Sequence, residues 1–418
     1  MATPRVAIVG AGPAGLMAAE RLATAGCRVT VYERMPSPAR KFLMAGRGGL
    51  NITHATDRPA FDRAYGERAA EVGRLLDRLS PDALLGWVHG LGIETFVGSS
   101  GRVFPREMKA SPLLRAWLLR LDRLGVRLVL RHDWRGFDAA GRPLIVDAGG
   151  QPLPVEADAV VLALGGASWP RLGSNGAWVD PLAGIGVPIA PLQPSNCGVT
   201  VAWSAPIRER FTGVPVKRIA VSVGRERVRG ELVITARGLE GGAVYALSGA
   251  IRSALAAASG RPIEIGLDLR PDETMERLIE RLSVERAKQS LATLLRKAVR
   301  LDAAGIALLR EPGPMPATPV ALAQRIKHLP IAVTGLAGLD RAISTAGGVR
   351  FDGVGPDLML AARPGVFVAG EMLDWDAPTG GYLLQATFAS AMAAADGVMA
   401  WLAARASAAK TGVDQPAL

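Results

Sequence analysis

Cysteine is almost missing: Cys27 and Cys197 are the two in 418 residues, too few for a disulfide framework or a cysteine-ligated zinc site. No metal centre is therefore expected. No uninterrupted apolar run reaches the length of a membrane span, and the most apolar late segment, Leu383 to Ala408, is broken by Asp396 and Arg405 and reads as a packed helix. No secretory leader is expected, because a charged, glycine-bearing strand begins almost at once. These absences predict a cytoplasmic protein with no membrane partner. Acidic residues fall short as well, 38 against 49 lysines and arginines, for a net charge of +11. Such an excess admits a nucleic-acid partner, since phosphate binding draws on lysine and arginine. Yet the bases are overwhelmingly arginine in a chain rich in alanine, glycine and proline, as GC-rich coding alone would produce. Charge by itself leaves RNA binding and coding bias equally open.

What is plentiful is apolar residues, 49% of a chain long enough for two or three domains. The first of them organise the rest. Val6 to Val9 form a short apolar run of the kind a doubly buried strand shows. Gly10, Gly12 and Gly15 follow with GxGxxG spacing. The first permits a sharp bend, the second lets a pyrophosphate approach the backbone, and the third lets a helix pack on the strand. The helix begins near Pro13 and Ala14, and its free N–H groups and dipole favour anions. Cys27 to Tyr32 returns as a second strand that Glu33 closes, about twenty residues past the turn. A carboxylate there accepts hydrogen bonds from both ribose hydroxyls of an adenosine and repels a 2′-phosphate, so the ligand is FAD or NAD rather than NADP.

After Arg34, the segment KFLMAGRGGLNITH (Lys41 to His54) has little periodicity and several glycines, and it reads as a loop able to wrap a flat ligand. Lys41 and Arg47 can offset phosphate or flavin charge, and Asn51 and Thr53 offer hydrogen bonds. The segment resembles the loop K-x-L-x-S-G-G-G-R-C-N-x-T-N of the BaiN-like (YhiN-like) FAD-dependent oxidoreductases. It keeps Lys41, Gly46, Gly48, Gly49, Asn51 and Thr53, and departs at Arg47, at Leu50 where relatives carry cysteine, and at His54 in place of asparagine. Gly101 to Pro105 (GRVFP, expected as a turn near the flavin end), Ala167 to Gly176 (ASWPRLGSNG) and Ala342 to Val349 (AISTAGGV) match further signatures of the family. The resemblance implies an α/β fold, a two-dinucleotide-binding-fold FAD domain with a Rossmann-like parallel sheet, into which a strand-rich and then helical domain is inserted. The expected boundaries are 1–186 and 336–418 for the FAD domain and 187–335 for the insert. Helical spacing over Thr274 to Leu301, with Arg277, Arg281, Arg286, Lys288, Arg296, Lys297 and Arg300, makes that stretch the best RNA-facing candidate, or else a solvated face.

The same resemblance assigns further cofactor residues. The buried strand ADAVVLALGG ends at Ala163, Gly165 and Gly166, whose backbone the cofactor would read. VFVAGE, Val366 to Glu371, is similar to the second FAD signature, in which Gly370 admits the ribityl chain and Glu371 bonds a ribityl hydroxyl, with Asp374 close by. Gly380, Gly381, Tyr382 and Leu383 open the last helix and would aim N–H groups at the flavin N1–C2=O edge. This second motif favours FAD over NAD. With no second GxGxxG, NAD(P)H would dock transiently beside the flavin, unless the reductant is something else. The resemblance further implies reduction of a carbon–carbon double bond, either in a uracil of ribosomal RNA to give dihydrouridine or in a steroid-like small molecule. His54 and Tyr382 are the candidate acids. An enzyme acting on structured RNA leads, ahead of a small-enone reductase and of a flavin-bearing RNA-binding or redox-sensing protein without turnover.

Overall fold

The computed structural model describes residues 3–284 and 289–411, without the side chains of Arg47, Ala409, Lys410 and Thr411. The chain divides into two compact units, residues 1–193 with 344–418, and residues 194–343.

The first unit is built on a five-stranded sheet in the order Val366–Val368, Ala159–Leu162, Arg5–Val9, Arg28–Glu33, Arg127–Leu130. Every pairing in it is parallel. Parallel strands need crossovers and are covered on both faces, which is why Val6 to Val9 and Ala159 to Leu162 are apolar at every position and fully buried. The glycine turn feeds the helix Pro13–Thr24, which packs against the thirty-residue closing helix Tyr382–Thr411. By length and composition that closing helix could cross a membrane, with a mean hydropathy of 1.3, but 56% of its apolar window is buried inside the protein. Ala386, Ala389, Ala391, Ala394 and Ala395 are solvent-free, small enough to let the first helix and the sheet approach.

Two expectations are corrected in this unit. KFLMAGRGGLNITH is not simply a loop: Arg40–Ala45 is helical and Gly46–Gly48 continues as a 3₁₀ turn. GRVFP is not a turn either, because Arg102–Pro105 is the central strand of a small antiparallel sheet between Thr53–His54 and Thr95–Val97.

The second unit is a closed six-stranded antiparallel barrel with the strand order Val199–Val201, Gly238–Glu240, Glu226–Thr235, Pro215–Val223, Ile263–Asp268, Leu329–Leu336. Its separate core includes Ile219, Val221, Leu232, Ile234, Ile265, Leu267, Ile331 and Val333. Closure leaves no edge strand to pair with another chain. The helical stretch expected over 274–301 is two helices, Met275–Leu282 and Leu291–Ala298, each started by its own cap. Thr274 accepts the Arg277 N–H and Ser290 that of Thr293. Arg286 and Lys288 lie outside the described residues.

Candidate cofactor and active site

The three glycines of the first turn meet three different surroundings. At Gly10, φ is +101° and a Cβ would lie 2.3 Å from the Ala163 carbonyl oxygen, so the neighbouring strand forbids a side chain. At Gly15 a Cβ would lie 1.8 Å from the Gly10 carbonyl oxygen, where the helix rests on the turn. At Gly12 a Cβ would meet nothing within 4 Å. Two of the glycines are thus required by the protein itself, whereas at Gly12 the protein leaves space. Gly12 caps the helix without any side-chain hydrogen bond, Pro13 occupies the first turn where its missing N–H costs nothing, and no acidic residue sits in that turn. The result is an anion cradle of backbone N–H groups, including that of Ala14.

Glu33 stands beside it, 9% exposed. One carboxylate oxygen accepts the Ala11 N–H at 2.8 Å and the other the Met35 N–H at 2.8 Å. Burial pushes its pKa up, and the two backbone bonds and the nearby Arg34 guanidinium pull against that. Each oxygen keeps a further lone pair for a ribose hydroxyl. Arg34 itself reaches Asp133 at 3.8 Å.

The second half of the site is a polar knot. Lys41 Nζ donates to Glu371 Oε2 at 2.6 Å and to Ser168 Oγ at 2.6 Å. Glu371 also accepts the Thr345 N–H at 3.0 Å and the Gly166 N–H at 3.4 Å. Lys41 and Glu371, expected to act separately on the cofactor, therefore hold each other, and four chain segments meet on one carboxylate. Gly370 (φ +83°) is forced by the first helix, since a Cβ there would lie 2.8 Å from the Ala14 Cβ. Asp374 is ion-paired with Arg68. The carbonyl of Gly165 (φ +71°) accepts the Trp178 Nε1–H, and the buried Ser174 hydroxyl beside it has no hydrogen-bond partner among the described residues.

In the loop, Gly46 packs on Ala110, Gly49 takes φ +105°, and Gly48 faces open space. The Arg47 side chain lies outside the described residues. Asn51 Oδ1 is buried without a hydrogen-bond partner among the described residues. The Thr53 hydroxyl donates to Gln385 Oε1 at 2.8 Å in a fully buried pair, so it serves the fold. Leu50 is 1% exposed and belongs to the core. Gly381 (φ +99°) lets the head of the last helix, with Tyr382 and Leu383, come down on Thr53, where a Cβ would meet backbone at 2.4 Å; Gly380 (φ +136°) precedes it.

The two candidate acids are brought together. The His54 and Tyr382 rings stack at 5.2 Å with 15° between planes. His54 Nε2 lies 3.0 Å from the Ser100 carbonyl oxygen, which can only accept, so Nε2 carries the proton. His54 Nδ1 is buried without a hydrogen-bond partner among the described residues. Burial pushes the Tyr382 phenol up, against a pull from Arg102. Beside them Thr53, His54, Arg58, Phe61, Leu85 and Val103 line a cavity of about 250 Å³. Ser168 and Ser174 lie inside the ASWPRLGSNG signature but are not among the expected site residues, and Gln385 escapes notice because a lone glutamine carries no spacing signal. Thr345 has one, as the threonine of the T-x-G-G-V segment.

A glycine cradle with an acid at the end of the next strand, open only where a pyrophosphate would lie, and a second glycine-led helix start together define an FAD-binding oxidoreductase of the dinucleotide fold. More narrowly, the chain belongs to the HI0933-like family, whose Rossmann-domain model matches residues 4–397. It is similar to the ribosomal RNA dihydrouridine synthases of Haemophilus influenzae, 25% identical over 401 residues and covering 93% of this chain and 96% of the relative, and Escherichia coli, 25% identical over 407 residues and covering 94% and 97%. Among solved structures it shares the fold of the 3-ketosteroid delta1-dehydrogenase from Sterolibacterium denitrificans in complex with 1,4-androstadiene-3,17-dione. That likeness is one of fold, at 14% identity and a TM-score of 0.53 over 96% of this chain and 100% of the other.

Proposed function

We propose that this FAD-dependent oxidoreductase reduces the carbon–carbon double bond of a uracil in structured RNA to dihydrouridine, with NAD(P)H as the electron donor. The observation that carries the reading is where the charge lies. Residues 194–343 hold 22 lysines and arginines against 14 aspartates and glutamates, a net +8 of the chain's +11. Arginine is spread over both units, 24 in the first and 18 in the second, but the excess of base over acid gathers in the second, and a polyanionic substrate accounts for that. The two relatives named above, matched over nearly their whole length, bear the name of that reaction.

Bound FAD would supply the hydride, and the substrate carbon next to the one that receives it needs a proton. The cradle at Gly10 to Gly15 would hold the pyrophosphate of FAD, Glu33 its ribose, and the N–H groups at Gly381 and Tyr382 would stabilise the reduced ring. Lys41 and Glu371 fix the segments between. Of the stacked pair, the Tyr382 phenol is the acid: a phenol carries its proton at neutral pH, and burial raises its pKa further. The Nε2–H of His54 is engaged by the Ser100 carbonyl, and its ring holds the phenol in place by stacking.

The test is anaerobic reoxidation of the reduced holoprotein, followed at the flavin band, with unmodified large ribosomal RNA and with a panel of small enones. Rapid reoxidation by RNA, with dihydrouridine in the digest, is expected. Reoxidation by an enone alone would overturn the reading in favour of small-molecule metabolism, and none by either would favour an RNA-binding flavoprotein without turnover. Bleaching of the oxidised flavin by NADH or NADPH checks the donor.

A further inference from the structure

The small antiparallel sheet beside the Tyr382 end of the cofactor site has two unlike faces. Its register places Thr53 opposite Val103, His54 opposite Arg102, Phe96 opposite Phe104 and Val97 opposite Val103. Since side chains alternate along a strand, His54, Arg102, Phe104 and Phe96 share one face. Tyr382 stacks on His54 at one end of this row, and the Phe96 and Phe104 rings lie 5.8 Å apart, 30° between planes, at the other. Glycines flank the inner ring: a Cβ at Gly98 would come within 3.3 Å of Phe104 and one at Gly49 within 3.5 Å, so no side chain at either position covers it.

This row is not a core. Phe96 is 40% exposed, so its ring is open to a ligand. The charges nearby are mixed, Arg106 and Lys109 against Glu94 and Glu107, and Arg106 is held by Glu94 at 2.8 Å. On the face itself the charge is Arg102, which is exposed and has no carboxylate partner among the described residues. Two flat rings in line with an unpaired cation on an open sheet suit a ligand that is itself a row of flat rings strung on phosphates. A protein partner would call for carboxylates opposite Arg102 but gives no reason for aromatic rings set at this spacing.

We propose that the face formed by Phe96, Phe104 and Arg102 is a stacking platform for unpaired nucleotides of the RNA substrate, holding bases next to the target while Arg102 takes a phosphate. The platform rests on the RNA reading above and deepens it. It makes recognition depend on single-stranded character, because a base can stack on a protein ring only after leaving its own helix.

The experiment uses the holoprotein, with a fluorescein-labelled short oligouridylate and an RNA duplex of the same length as probes. Phe96→Ala and Phe104→Ala should each weaken oligouridylate binding roughly five- to a hundredfold, the range found when a stacking ring is removed. Duplex binding and bound flavin should stay as in the wild type. Phe96→Trp should restore the affinity, which separates stacking from misfolding. Arg102→Ala should lower the slope of log affinity against log salt by about 0.7, the share of one phosphate on a single strand. Alanine variants that bind oligouridylate as the wild type does would overturn the platform, as would a wild type that binds duplex equally well. Reoxidation of the reduced wild type by ribosomal RNA, run alongside, keeps the two failures apart. If RNA reoxidises the flavin while the variants bind normally, only the platform falls; if RNA neither binds nor reoxidises, the RNA reading falls with it.

Discussion

The two units of this chain are built to different constraints. Residues 1–193 with 344–418 carry a net charge of only +3, and their conformation turns on glycines at fixed places. Residues 194–343 carry +8 and close a barrel from strands whose core residues are interchangeable Val, Ile and Leu. The reason is what each unit has to hold. A dinucleotide phosphate is bound by backbone N–H groups at a helix start, and only certain residue types let the backbone come that close. A barrel needs apolar volume of about the right size and shape, which many sequences supply. One unit is therefore written in residue identities, and the other in pattern and charge.

Residue identity should matter most at Gly15 and Gly12, two positions of one turn with opposite expected outcomes. Gly15→Val drives a side chain into the Gly10 carbonyl and should yield little folded protein, all of it colourless. Gly12→Ser meets open space and gives the helix the N-cap it lacks, so the apoprotein should be as stable as wild type or more so. Yet the serine would occupy the cradle, and flavin should be lost on desalting. Thermal melting of the apoproteins beside the flavin absorbance of the purified proteins checks both. A Gly12→Ser protein that retained its flavin would show that the cradle does not hold the pyrophosphate.

A smaller effect is expected at the knot. Glu371→Gln removes the charge on which Lys41, Thr345 and Gly166 converge and should cost the apoprotein about 1–2 kcal/mol in urea unfolding, since the pair is partly open to solvent. Lys41→Met should cost a similar amount, and the double variant less than the sum, because both remove one interaction. Strict additivity would mean that the pair does not act as a unit.

How much of this is legible in the sequence follows the same division. Gly10, Gly15, Gly370 and Gly381 announce themselves because their reason is local or family-wide. The Lys41–Glu371 pair does not, although each residue stands out alone, since 330 residues separate them and no spacing joins them. The strand Arg102–Pro105 reads as a turn because its flanking glycine and its proline are turn residues, whereas its partners Thr53–His54 and Thr95–Val97 decide its state. In the insert four strands show as short runs, near Val199, Ile219, Glu231 and Ile263, whereas Gly238–Glu240 and Leu329–Leu336 go unread, and closure into a barrel is a property of pairings between distant segments. The two helices over 275–298 read as one because their apolar spacing nearly continues; the caps at Thr274 and Ser290 mark the separate starts.

Charge in the barrel unit can be probed on the second of those helices. Arg296 and Lys297 are exposed at its last turn. Reversing both to glutamate should lower the salt slope of RNA binding by about 0.7 for each phosphate they neutralise and weaken affinity several-fold without altering bound flavin. An unchanged slope would place the RNA elsewhere on the unit.

The smallest effect returns to Glu33, where burial has raised the pKa above the ordinary 4.5 of a free glutamate despite two backbone hydrogen bonds. A raised folded pKa means that the folded apoprotein binds this proton more tightly than the unfolded chain does. The stabilisation is then complete below about pH 4.5 and is lost as pH rises through the raised value. In urea titrations across that window, apoprotein stability should fall with pH in the wild type relative to Glu33→Gln, which has no proton to lose. Flavin should flatten the wild-type slope, because ribose hydroxyls donating to the carboxylate favour its charged form. Were the slopes of wild type and variant the same with and without flavin, the carboxylate would be neither strained by its burial nor relieved by a ribose, and its place in the cradle would have to be given up.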